Sequence, residues 1–465
     1  MQGAKEARIG GEGKWEMAVG GAPALSRREF LRLAGAAAIS AVFSACKAPG
    51  LERVPAGGDP VQLVYQDWRT EWFPPMVQQM LEEFHATHPD IRVFYTPDPE
   101  NLQEKMLADM QAGTAPDVFQ ACCSLFPILA QRGYTLDLRP YVEIDLDPAT
   151  IDDWDPAQYR ALFARDGQQY GLPKYHGALA VYYNRDLFDE YGVDAPDENW
   201  DHDDYLATMK RLTLDRDGDG RIDLWGSMLD VSWDRVQVHV NGWGGHFVDP
   251  DDPSLCRMCE PEAMQAMEWI RARMWDDRVL ATARDVQNVT TRQAFINQKV
   301  AMVEDGSWAL KDILTGADFR VRVAPFPAGP ARRVTLATTD GFGVYAGTRH
   351  PDAAWELLKF LTSVEYGRAM ARANFLQPAR ASLVDEWVDF VREEFPGKIT
   401  DWDIATFADG HVKGYSVTAE VFANMADAKR LATAAWDQIF SLGQAPVQYM
   451  EDICRQIQEA QAEPG

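Results

Sequence analysis

An α/β protein with a parallel sheet, divided into two domains, is what the sequence predicts. Three observations point there. Short apolar strands alternate with amphipathic helices from residue 61 onward, and that alternation builds parallel sheets through right-handed crossovers. The chain has 465 residues, more than one hydrophobic core usually serves. Apolar residues make up 46% and charged residues 25%, the balance of a soluble globular protein with enough apolar surface for a large core.

The elements follow from spacing. Residues 61–65 form an apolar strand, and Met76, Met80, Leu81 and Phe84 then recur at helical spacing on one face. A strand over 91–95, a helix over 102–110 and a strand over 117–119 continue the alternation. Ligands of such sheets bind beyond the carboxyl ends of the strands. Further along, residues 178–183 read as a strand, and 262–275 as a helix with Met264, Met267, Ile270 and Met274 facing the core. Strands over 300–303 and 342–346, a helix over 351–361 and a mostly helical C-terminus from 418 complete the chain. No internal repeat of about 20–50 residues is present.

The formal net charge is −26. It repels nucleic acid, whose binding needs a basic patch. The N-terminus carries an address: Ser26-Arg27-Arg28-Glu29-Phe30-Leu31-Arg32 is a twin-arginine export motif. The apolar run from Leu33 to Phe43 rises only about 16 Å as a helix, too short for a hydrocarbon core of about 30 Å, so it reads as the core of a signal peptide. Phe43-Ser44-Ala45-Cys46 follows and resembles a bacterial lipobox, with Cys46 as the acylated residue. Residues 1–45 are then the signal peptide, and the Gly/Pro/Ala-rich stretch 46–60 a flexible tether. Five other cysteines remain: Cys122, Cys123, Cys256, Cys259 and Cys454. Cys256 and Cys259 have CxxC spacing without a thioredoxin-like context, which leaves a surface disulfide between them or two free thiols.

The sharpest local motif is acidic. Asp215, Asp217 and Asp219 stand at positions 1, 3 and 5 of an EF-hand-type calcium loop, with Gly220 at 6. Arg221 offers a carbonyl at position 7 and Asp223 reaches through water at 9, but position 12 is Gly226 instead of a bidentate Glu. A structural calcium ion, with no signalling role, is the expectation, and no cofactor is required.

Five segments in order carry a family resemblance: Gly113 to Val118; Gly171-Leu172-Pro173 with Val181 to Phe188; Trp200 with Leu212-Thr213; Val300 to Trp308; and Leu376 to Arg380. Together they resemble the extracellular solute-binding proteins of family 1, the maltose-binding-protein-like components of ABC importers, over about residues 61 to 460. The resemblance implies a two-lobed periplasmic-binding-protein-like fold of type II. Each lobe is a sheet flanked by helices, a hinge joins them, and the ligand lies in the cleft between. By analogy lobe one takes 61–180 plus 340–380 and lobe two 181–339 plus 381–465, with crossings near Gly177 and near Asp340.

It implies a monomer that captures a carbohydrate for the permease subunits of an importer and touches the membrane only through its lipid. A sugar site needs aromatic faces for ring C–H patches and polar groups for hydroxyls. The candidates are Asp67 and Trp68 after the first strand, Gln120 after the third, His176 at the first crossing (or a structural hinge histidine), Asp230 and Trp233 beyond the acidic loop, Trp308 as the stacking ring, and Asp340 at the second crossing. Cys122 and Cys123 stand where relatives more often carry polar residues. A glycerophosphodiester or another small polar solute is the alternative ligand, favoured if arginines such as Arg69 or Arg372 reach the cleft. A glycoside hydrolase would need two carboxylates about 5 to 10 Å apart across a cleft, and no nucleophile elbow, HExxH or Walker motif is present.

Overall fold

The computed structural model describes residues 59–462. The export motif, Cys46 and the tether as far as residue 58 lie outside the described residues. No helix among those described is long and apolar enough to cross a membrane.

The first sheet starts with β1 (Val61–Asp67). Pro74 and Pro75 open α1 (Phe73–Thr87), in the first turn where a missing N–H costs nothing. The buried face of this helix is Phe73, Met76, Val77, Met80, Leu81 and Phe84, a stripe at helical spacing. Strand β2 (Ile91–Pro97), helix α2 (Leu102–Ala112) and strand β3 (Val118–Ala121) follow. Gly113 ends α2 with φ 74°, the left-handed cap that a side chain would strain. After α3 (Leu125–Gln131) and α4 (Pro156–Ala161), β4 (Leu172–Pro173) adds an edge.

The second sheet is centred on β5 (Leu179–Asn184), whose six residues are all buried, as expected of a strand covered on both faces. Helices α5 (Trp233–Gly242) and α6 (Pro261–Trp275) pack beside it. Strands β6 (Met302–Gly306) and β7 (Val321–Pro325) flank β5, giving the order β6-β5-β7 with both pairings antiparallel. The chain then returns as β8 (Gly341–Val344) to the first sheet, whose order is β2-β1-β3-β8-β4.

Within the first sheet, parallel pairing therefore holds for β1 with β2 and β3. Strand β8 runs antiparallel to β3, with Gly341 opposite Ala121. It enters from the second sheet rather than through a crossover helix, so it approaches the first sheet from the opposite end. Helices α7 (Pro351–Leu361) and α8 (Val364–Asn374) cover the first sheet. The short α9 (Asp409–Val412), then α10 (Met425–Trp436) and α11 (Tyr449–Ala462), finish the chain.

The hydrophobic cores follow the sheets. One draws on residues from Leu63 to Tyr175 and again from Phe342 to Ala379. The other is built from Val181 to Ala324 together with Phe422 to Ile457, with Trp387 and Phe407 in a layer beside it.

The cysteines correct an expectation. Cys256 bonds to Cys454, 198 residues away, and neither sulfur-bearing residue is at the surface. Cys259 is half-buried and free. The bond joins the turn before α6 to α11, a long-range contact that CxxC spacing does not disclose.

Candidate functional site

The carboxyl ends of the three parallel strands gather polar side chains in a buried layer. Asp67 ends β1, Asp98 follows β2, and Gln120 lies in β3. Gln66 Nε2 donates to Asp98 Oδ1 (3.1 Å) and Gln120 Nε2 to Asp98 Oδ2 (2.9 Å). Gln120 Oε1 is buried without a hydrogen-bond partner among the described residues. Burial pushes the Asp98 carboxyl up, and both amides oppose it.

Beside this layer Asp67 pairs with Lys174, and both side chains are 0% exposed. Asp67 also accepts the Trp68 N–H at 2.7 Å and the Tyr65 hydroxyl. Lys174 Nζ sits 3.2 Å from the centre of the Trp68 ring, a desolvated cation–π contact. Burial raises Asp67 and lowers Lys174, and the attraction between the two opposes both shifts. Both Asp67 oxygens are thus engaged, and Trp68 is half-buried beneath an ammonium, edge-on to Tyr175 at 5.4 Å.

At the second crossing Asp340 is 4% exposed. Burial lifts its carboxyl to about 7; Lys174 and Thr338 oppose this, while Asp234 and Asp67 add to it. Asp234, in the first turn of α5, is pushed up by burial, with Lys429 and Arg235 opposing. Cys122 and Cys123 close the group. The hydrogen bond with Cys122, burial, and the charges of Asp234 and Asp340 all raise the Cys123 thiol. Cys123 has φ 55°, a left-handed conformation uncommon outside glycine. Lys429 of α10 donates to Ser124 Oγ (2.9 Å), and Gln131 Nε2 to the Phe422 carbonyl (2.9 Å). These contacts join the two sheet bodies.

Trp308 packs half-buried against the first core and against the Trp387–Phe407 layer beside the second. Its ring needs the glycines beside it. A Cβ on Gly177 would lie 2.6 Å from Thr338 Cγ2 and 2.9 Å from Trp308 Cε3. Close approach, rather than an unusual φ, is therefore what requires glycine at this crossing. Arg235 reaches the Trp308 ring at 5.8 Å and bonds Asp230 and Asp305, each at 3.1 Å. Asp305 also takes Arg292 at 3.2 Å. Asp230, Arg235, Arg292 and Asp305 line a groove of 790 Å³ with Thr282, Asn288 and Phe440, and Trp308 stands outside that lining.

The sequence candidates are thus sorted. Asp67, Trp68, Gln120 and Asp340 converge at the edge of the first sheet, and Trp308 and Asp230 share Arg235 on the facing side. Trp233 lies elsewhere, in the second core, against Phe247, Phe422 and Trp436. Its neighbour Asp234 occupies the cleft. His176 is turned to Asp155, with Nε2 2.9 Å from Oδ2. Lys174, Asp98, Asp234 and Arg235 join the site without a local sequence signal, since each is a charged residue that reads as surface until its partner is known.

In the acidic loop one carboxylate oxygen each from Asp215, Asp217 and Asp223 lies within 4.8 Å of the others. Asp219 Oδ1 accepts the Arg221 N–H at 2.8 Å. The missing twelfth ligand has a steric cause, because a Cβ on Gly226 would meet the Met209 backbone at 2.5 Å.

Two α/β lobes joined by paired crossings, with a cleft at the strand ends, define a two-lobed binding fold of type II. The chain belongs to the bacterial extracellular solute-binding proteins, a family that it matches over residues 68–368. A binding protein of Brucella abortus is 27% identical over 314 residues, 65% of this chain and 71% of the relative. The maltotriose-binding protein of Pyrococcus abyssi is 21% identical over 62% of this chain and 59% of the relative. Among solved structures, an ABC substrate-binding protein from Listeria monocytogenes in complex with cycloalternan superposes with a TM-score of 0.73 at 22% identity. That match covers 87% of this chain and 98% of the other.

Proposed function

We propose that this chain captures a carbohydrate, mono- or oligosaccharide, between its lobes and delivers it to the permease subunits of an ABC importer. The observation that carries the reading is Trp308, an aromatic face between the first core and the layer beside the second that is framed by glycines and by the Arg235–Asp305–Arg292 network. Such a ring stacks on a sugar's C–H patch while the carboxylates and guanidiniums pair its hydroxyls. The similarity to proteins named for maltotriose and cycloalternan supports this ligand class.

The lobes on this reading are 61–180 plus 340–380 and 181–339 plus 381–465. Export follows the twin-arginine signal, Cys46 carries the lipid, and the protein works as a monomer without catalysis. Asp215, Asp217 and Asp223, with Asp219 and the Arg221 carbonyl, hold a structural calcium ion that stiffens the loop between Leu214 and Leu224.

A glycerophosphodiester gains less support. Arg69 pairs with Glu100 at the surface and Arg372 lies over Phe390, while the cleft arginines are already neutralised by Asp230, Asp305 and Asp312. A thermal-shift screen of the purified chain against a carbohydrate panel tests the proposal. A rise in melting temperature is expected with at least one sugar, which is recovered unaltered. A response confined to phosphodiesters, or hydrolysis of a glycoside, contradicts it.

A further inference from the structure

Away from the strand ends, three metal-ligating side chains converge from three segments. Asp155 is the N-cap of α4, His176 stands at the first crossing, and His411 lies in α9. One ligand atom from each falls within 4.8 Å of the other two. Asp155 Oδ2 and His176 Nε2 are 2.9 Å apart, and the His176 and His411 rings stack with centroids 5.8 Å apart.

The carboxylate is already oriented. Its Oδ1 accepts the Ala157 N–H (2.6 Å) and the Gln158 N–H (3.3 Å), which leaves Oδ2 for the imidazoles. Burial pushes Asp155 up, but the hydrogen bond and charge of His176, with His411 behind it, hold it well below the usual carboxylate range. His176 is buried, and its Nδ1 has no hydrogen-bond partner among the described residues. An Asp–His pair alone could be a packing device. A second imidazole stacked onto that pair brings a third donor to the same point, which packing alone does not require.

We propose that Asp155, His176 and His411 bind a first-row divalent transition metal, with zinc the best fit. Two imidazoles and one carboxylate suit zinc and its neighbours, whereas calcium and magnesium want more oxygens. Ligands about 2.0–2.1 Å from a tetrahedral ion stand about 3.4 Å from each other, so the Asp155–His176 pair, now 2.9 Å apart, must open by about 0.5 Å while His411, within 4.8 Å of both, adjusts to the same ion. Water completes the fourth position. The ion ties together parts of both lobes. Trp154, next to Asp155, lies in the first core, and Phe407, one turn before His411, packs on Tyr182 of β5. The site therefore clamps the hinge independently of which solute the cleft holds.

The test is titration of the metal-stripped purified chain with Co(II), read by visible absorption, and with Zn(II), read by calorimetry. Calcium is kept in excess so that the acidic loop is not counted. One equivalent of Co(II) should give d–d bands without thiolate charge transfer, and H411Q should weaken Zn(II) binding at least 100-fold while keeping the far-UV circular dichroism. D155N, which retains the capping oxygen, provides the same readout should H411Q misfold. Absence of binding to the wild type, unchanged binding by the folded variants, or a thiolate band from Cys122, Cys123 or Cys259 overturns the proposal.

Discussion

Replacing Asp340 with asparagine should make the protein's stability less dependent on pH. In the folded chain burial lifts this carboxyl from 3.8 to about 7. Between those values the native state holds a proton that the unfolded chain releases, so stability falls as pH rises through this window and the penalty is complete above it. About three pH units at about 1.4 kcal/mol each give an upper bound of about 4 kcal/mol. Asparagine is neutral throughout. Asp340→Asn should therefore lie within about 1 kcal/mol of wild type at pH 4 and exceed it by up to about 4 kcal/mol at pH 8. Lys174 reduces the gain, since it loses a nearby anion. Urea unfolding of both proteins across this range supplies the comparison. A gap that stays constant with pH, or that shrinks as pH rises, would refute the argument.

Three further outcomes follow from named contacts. Cys454→Ser removes a crosslink spanning 198 residues, for which chain entropy alone predicts a loss of about 5 kcal/mol; thermal unfolding should show a lower midpoint, and reduction of the wild type should reproduce it. Gly177→Ala drives a methyl into Thr338 and Trp308, and overpacking of this kind costs about 1–3 kcal/mol, measurable by denaturant unfolding. Calcium added to the wild type should give binding heat that Asp217→Asn lowers; no heat from the wild type would remove the metal from the loop.

Local pattern disclosed most elements and little of the long-range arrangement. The stripe of α1 and the bounds of α7 were readable because apolar spacing and proline position are local signals. The direction of β8 was not, since it depends on where the chain comes from. Nor was the partner of Cys256, set by the docking of α11. Within the site, strand ends located Asp67, Gln120 and Asp340. They gave no hint that Lys174 would be buried against Trp68, because a lysine reads as surface until its partner is known. Trp233 and Asp234 differ by one position on α5, and that step separates core from cleft.

Carbohydrate capture against Trp308 is tested most directly by calorimetric titration of the best sugar from the thermal screen into wild type and Trp308→Ala. Saturable 1:1 binding to wild type is predicted, at least tenfold weaker in the variant, a loss of about 1.4 kcal/mol or more. Equal affinity in the two proteins, or no carbohydrate bound by the wild type, would contradict it.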